Sequence, residues 1–103
     1  MAKSNVLESD LIVPPGETRT YDVSDYSTAM YSAVMNKATG YVHYKVSRAV
    51  SASGAYVEIA AVTLTNDTPT GEVVDLRGVN SLKFVVQSVS GSETVTLNVS
   101  AWS

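Results

Sequence analysis

"SLKFVVQSVSGSETVTLNVSAW", residues Ser81 to Trp102, carries the clearest pattern in this chain of 103 residues. Val95, Leu97, Val99 and Ala101 alternate with Thr94, Thr96, Asn98 and Ser100. That period of two puts one apolar face on a strand. Upstream, Leu82, Phe84 and Val86 alternate with Lys83, Val85 and Gln87 in the same way. The link between them, "SGSE", holds Gly91, which can take the positive φ of a short turn. The stretch predicts two strands paired as an antiparallel hairpin.

The same reading extends backwards. "YVHYKVSRAV" sets Val42, Tyr44, Val46 and Val50 on one face, with His43, Lys45 and Ser47 on the other. "SASG" turns the chain at Gly54, and "AYVEIAAVTLT" returns with a phase slip near Ala60-Ala61 that predicts a β-bulge. "NDTPTG" then breaks the pattern with Pro69 and Gly71. "STAMYSAVMNKA" has helix-favouring Ala and Met, but Ala29, Tyr31, Ala33 and Met35 alternate as a strand does. A weak repeat supports the strand: Tyr21–Val34 aligns with Val74–Gln87 at an offset of 53 residues, Asp22 on Asp75, Val23 on Leu76 and Tyr31 on Phe84.

Eight strands follow, near 5–13, 17–23, 28–36, 41–50, 55–65, 72–76, 81–89 and 94–102. Short strands at this spacing predict an all-β, antiparallel two-sheet β-sandwich of jelly-roll type, with an immunoglobulin-like sandwich as the alternative. "LIVPPG" joins an apolar triplet to a stiff Pro14-Pro15 joint. Residues 1–16 are therefore expected to form an extended N-terminal arm, and 17–103 a single sandwich domain. The arm should pair as a strand, with an edge of its own sheet or across to a neighbouring subunit.

Composition narrows the function. Seven Lys and Arg are scattered, and the net charge is −3, which argues against a phosphate-tracking stripe and hence against nucleic acid. No apolar window approaches a membrane span, and "MAKSNVLESD" lacks the apolar core of a secretory signal, so a soluble protein made in a cytoplasm is expected. Without cysteine there is no thiolate chemistry.

The chemistry-bearing residues are few. His43 is the single histidine and falls on a polar strand face, with no Gly-x-Ser-x-Gly elbow anywhere to supply an activated serine. Glu58 and Asp75 are the pair to consider for glycoside hydrolysis, but so short a sandwich has little chain to wall a cleft. Asp22, Asp25 and Asp75 sit at strand-turn corners where oxygen ligands can hold calcium; aspartates at such corners also cap turns, and no Asp-x-Asp-x-Asp-Gly loop is present. The expectation is no enzyme, no catalytic residue, no bound metal and no cofactor. Tyr31, Tyr44 and Phe84 belong to the core by phase, while Tyr41, Tyr56 and Trp102 are candidates for exposure. Exposed aromatics serve protein interfaces or stack on sugars. The interface candidates are Leu11, Ile12, Val13 and Pro14 of the arm, with Tyr56 and Trp102.

A cysteine-free, Ser/Thr/Val-rich chain of this size that ends in "FVVQSVSGSETVTLNVSAW" resembles the small β-sandwich structural proteins of tailed bacteriophages, most of all capsid decoration (cement) proteins. The paired corner segments "YDVSDYSTAMYSAV" and "VVDLRGVNSLKFVV" are also similar to jelly-roll modules of phage tails and carbohydrate-binding proteins. The resemblance implies a virion protein on the capsid exterior, with the major capsid protein as partner and a homo-oligomer, in the decoration style a trimer. A tail, fibre or carbohydrate-binding adhesion module is the alternative it implies.

Overall fold

The computed structural model describes residues 4–50, 54–89 and 93–103. Eight strands account for most of them: β1 (Ser4–Val13), β2 (Thr18–Asp22), β3 (Thr28–Met35), β4 (Val42–Ala49), β5 (Val57–Leu64), β6 (Thr70–Asp75), β7 (Ser81–Val89) and β8 (Val95–Trp102). Among the described residues there is no helix. The strands build two four-stranded antiparallel sheets, β1-β8-β3-β6 and β2-β7-β4-β5. This is jelly-roll order. One long ribbon pairs β4 with β5, β3 with β6, β2 with β7 and β1 with β8; winding it up then sets β8 beside β3 and β7 beside β4. In the immunoglobulin alternative β1 would pair with β2, which it does not.

The expected hairpin of β7 with β8 is therefore corrected. β7 lies between β2 and β4, whereas β8 lies between β1 and β3 in the other sheet. Alternation records which face of a strand is buried, and two strands facing each other across a core bury the same kind of face as two lying side by side. Both are central strands, so both edges of each are already hydrogen-bonded to other neighbours. The connecting residues 90–92, with Gly91, and 51–53 of the β4–β5 turn lie outside the described residues. The β4–β5 hairpin itself is present, and its bulge falls at Ile59, the residue left over where Val46 pairs with Ala60 and Ser47 with Glu58. Val50 does not join the inner face; it follows the end of β4 and is 78% exposed.

The weak repeat proves to be the plan of the whole molecule. Moving each strand 53 residues along carries β1 onto β5, β2 onto β6, β3 onto β7 and β4 onto β8, and so exchanges the two sheets. The corners match bond for bond. Val23 N–H donates to Asn80 O (2.9 Å), and its counterpart Leu76 N–H donates to Ser27 O (2.8 Å). Asn80 N–H donates to Ala49 O (2.9 Å), and Ser27 N–H to Trp102 O (3.0 Å). Inward positions are apolar in both halves: Val23 and Leu76, Ala29 and Leu82, Tyr31 and Phe84, Ala33 and Val86, Val42 and Val95, Tyr44 and Leu97, Val46 and Val99.

At the centre lie three rings. Tyr44 stacks on Phe84 with centroids 5.0 Å apart, and Tyr31 meets Tyr44 edge-on at 6.1 Å. Such geometries add about 0.5–1.5 kcal/mol per pair beyond burial. The two phenols reach out at the open β5/β6 edge, where Tyr31 donates to Glu72 Oε1 (3.3 Å) and Tyr44 meets the Thr70 hydroxyl (2.8 Å). Both of these phenol tips thus find partners. Burial, then the neighbouring Tyr44 and Glu72, pushes the Tyr31 phenol up from its ordinary value.

Residues 4–13 are the edge strand of the first sheet, paired with β8 of the same chain from Ser4–Trp102 to Val13–Val95. Two register shifts interrupt that pairing, and Asp10 in the second adopts a positive φ of 51° while its N–H donates to Asn98 Oδ1 (2.8 Å). Bulges of this kind blunt an edge against further pairing.

Gly71 of β6 tests the packing of the opposite edge. A Cβ there would overlap the carbonyl oxygen of Tyr31. A glycine-to-alanine change inside a strand ordinarily gains about 0.5–1 kcal/mol. Gly71→Ala is expected instead to destabilise by about 1–3 kcal/mol, the usual cost of overpacking, read as a lowered midpoint in urea unfolding.

Candidate functional site

The outward positions of the two sheets differ in chemistry. On the first sheet, directly opposed residues define rows that face solvent together. One row runs Val6, Ser100, Met30, Val73; a second runs Ser4, Trp102, Thr28, Asp75; others contain Asn98, Ser32 and Gly71, or Ile12, Thr96 and Val34. Val6 (61% exposed), Met30 (49%), Val73 (61%) and Trp102 (36%) form an apolar stripe from edge to edge. Asp75 is the one charged residue in these rows, at the rim, and it is neutralised by Arg77 (2.8 Å). The indole of Trp102 stands between two depressions. One, of about 150 Å³, is lined by Met30, Ser32, Asn98 and Ser100; the other by Ser4, Asn5, Val6 and Ser100.

The second sheet presents His43, Lys45, Ser47, Glu58, Thr63 and Lys83. The internal repeat makes the contrast exact in position: Met30 occupies the place of Lys83, Asn98 that of Lys45, Thr96 that of His43 and Val73 that of Thr20. The two halves keep the same inner face and carry unlike outer ones.

Each residue singled out for chemistry is engaged elsewhere. His43 Nδ1 pairs with the Thr63 hydroxyl (3.0 Å) rather than with an orienting carboxylate. Glu58 forms an ion pair with Lys45 (3.3 Å) on the second sheet, while Asp75 ends β6 of the first, so the two carboxylates share no cleft. Asp22 accepts the Ser24 N–H (3.0 Å) and hydroxyl (2.7 Å), which holds its carboxyl below the ordinary value. Asp75 caps its corner likewise, accepting the Arg77 N–H (3.0 Å) and the guanidinium, and its carboxyl falls from 3.8 to about 2. Asp25 lies in the β2–β3 corner beside Asp22. Among the described residues no three His, Asp or Glu come together to hold a metal ion, and no helix is long and apolar enough to cross a membrane.

The six interface candidates do not form one surface. Ile12 and Trp102 lie on the outward face of the first sheet, near opposite ends of β8. Leu11 is half-buried against the core, Val13 is fully buried and offers no contact, and Pro14 is exposed beyond the end of β1. Tyr56 sits over β7 of the second sheet, its hydroxyl on Ser81 Oγ (2.7 Å) and the Lys83 ammonium 4.2 Å from its ring centre. Sequence reasoning missed Val6, Met30 and Val73. The signal was available for Met30: it is apolar on the outward phase of a strand whose inward positions are Ala29, Tyr31, Ala33 and Met35.

No family model and no curated protein matches the chain. Solved structures do. The SPBc2 prophage-derived protein YomS is similar over 100% of this chain and 94% of its own, with a TM-score of 0.62 at 16% identity. The PBSX exported protein XepA is similar over 96% of this chain but 37% of its own, with a TM-score of 0.56 at 13% identity. The carbohydrate-binding module CBM36, solved with calcium and xylotriose, is similar over 98% of this chain and 88% of its own, with a TM-score of 0.51 at 10% identity. At such identities the likeness is one of fold.

The Asp75 corner gives a pH signature. Its carboxyl is depressed in the folded chain, so its contribution is complete above the unfolded value near 4 and disappears as pH falls towards 2. Thermal melts across pH 2–5 should show an acid limb that is shallower in Asp75→Asn than in the parent, with the two curves parallel at higher pH.

Proposed function

We propose that this chain is a non-enzymatic structural protein of a phage virion, a decoration protein that binds the major capsid protein on the outside of the head and stabilises its lattice. The observation that carries the reading is the division of labour between side chains. The inner face is spent on packing, Asp22, Asp75 and His43 are tied into turns and strand pairs, and one sheet face carries an apolar stripe with the Asp75–Arg77 pair at its rim. Adhesion needs that combination: a rigid scaffold, a contact surface and no reactive group. Weak contacts repeated over a symmetric lattice gain about 10²–10⁴-fold in retention through multivalency. Fold likeness to a prophage-derived protein, matched over nearly its full length, supports the phage setting.

A second reading is favoured by one feature. Trp102 is flanked by hydroxyl and amide side chains, with no acid, lysine, arginine or histidine in either depression, the chemistry that suits a sugar ring, and the fold is shared with a module solved with xylotriose. Under this reading the chain is a carbohydrate-binding adhesion module of a tail or fibre.

Two experiments separate them. Virions made by a phage encoding this chain should contain it by mass spectrometry, and immunogold should place it on heads. Particles lacking it should lose DNA at a lower temperature. Its absence from purified virions, or label confined to tails, would sink the decoration reading. Titration with oligosaccharides should leave Trp102 emission unchanged; saturable quenching, lost in Trp102→Ala, would select the sugar reading.

A further inference from the structure

We propose that the outward face of the first sheet packs against the same face of a second copy of this chain, across a two-fold axis. The inference deepens the adhesive reading of that face by naming its partner, and it rests on that reading but not on the virion setting.

Charge is the first argument. In an isologous contact every residue meets the surface that carries it, so a charged face repels itself. The second sheet carries Lys45, Glu58 and Lys83 within its outward face, charges that a contact would have to take out of water. The first sheet brings together Val6, Met30, Val73, Trp102 and neutral hydroxyl and amide residues, with Asp75 at the rim already paired to Arg77. Depletion of charge at the centre with aromatic and Met residues present is the composition of an interface core.

Shape is the second. The large side chains alternate with small ones: Ser100 lies between Val6 and Met30, Gly71 precedes Val73 by two positions, and the depression beside Trp102 is floored by Ser32, Asn98 and Ser100. A two-fold axis can set the projections of one copy into the hollows of the other, as aligned sheets do when they pack.

Area is the third. Four strands about 4.8 Å apart and about eight residues long cover roughly 19 × 26 Å, about 500 Å² a copy and about 1,000 Å² for the pair. That is the floor for a specific interface. Contacts at this floor are of the weak, transient class, so the concentration range of the test reaches above micromolar.

The test is sedimentation velocity on the full chain over micromolar to millimolar concentrations. The expected result is a monomer–dimer equilibrium with a blue shift of Trp102 emission as dimer forms. Met30→Lys and Val73→Lys replace exposed side chains, and circular dichroism checks that each stays folded. Each should weaken the dimer roughly a hundredfold or more, while Val85→Lys on the second sheet should leave it unchanged. A parent chain that stays monomeric throughout overturns the proposal, whether or not it binds oligosaccharide. So does any oligomer, a trimer or larger ring included, that tolerates both lysines. A lysine variant that is monomeric yet still found on phage heads supports self-pairing through this face and shows that head attachment uses another; a dimer that is absent from virions supports the pairing and overturns the decoration reading alone.

Discussion

Two backbone hydrogen bonds at one end of the sandwich, Val23 N–H to Asn80 O and Leu76 N–H to Ser27 O, are the constraint from which the rest follows. Each joins a strand that is leaving its sheet to a strand that has just entered it. β2 passes to β3 at the same place where β6 passes to β7, and each corner supplies the acceptor that the other's donor needs. An unpaired N–H in such a corner would cost about 1–3 kcal/mol once buried. Neither corner is therefore satisfied without the other. The bonds also set the phase of the strands that follow, which aims Ala29 and Tyr31 from one side, and Leu82 and Phe84 from the other, into one core.

The repeat of 53 residues is visible at the corners because the corners tolerate least. Asp22 and Asp75 each accept the N–H two residues on, a cap few other side chains can provide. Elsewhere the requirement on the inner face is only that a position be apolar and of fitting size. Tyr44 can therefore stand opposite Leu97, and Ala33 opposite Val86, without disturbing the plan. Strand positions were legible for the same reason: burial forces alternation, and the eight expected segments lie within two residues of the observed strands at each end. Val50 was misread because alternation was carried past Ala49, where the carbonyl is taken by Asn80 N–H and the strand stops.

What alternation does not encode is adjacency. Ser81–Trp102 showed two strands and two inner faces correctly, yet placed them side by side rather than across the core from each other. Pairing in a jelly roll is decided by the whole wound ribbon: β8 lies between β3 and β1, the strand farthest from it in the chain. The proposed contact face was hidden for a related reason. It is assembled from β1, β8, β3 and β6, so Val6, Met30 and Val73 are far apart in the chain and each, taken singly, is an ordinary exposed apolar residue. Trp102 was legible because a tryptophan outside the inward phase is conspicuous by itself. The arm residues were less so: the triplet Leu11-Ile12-Val13 splits between core and surface once β1 is paired, leaving Ile12 alone on the outer face.

The internal repeat supplies a control that a single sheet would lack. Two strand sets with the same backbone plan experience the same demands on their inner faces, and those stayed apolar in both. Their outer faces experience no demand from the fold. The difference between them is the ground on which the first sheet is proposed as a contact face. On one, positions 45 and 83 are lysines, paired with Glu58 or laid over Tyr56, which is how a strand surface stays in water. On the other, the equivalent positions are Asn98 and Met30, and the nearest ion pair has withdrawn to the rim at Asp75. Solvation alone offers no reason to keep a methionine and a valine there. The proposed partner surface would supply one, because burying each side chain is worth about 1.5–3 kcal/mol.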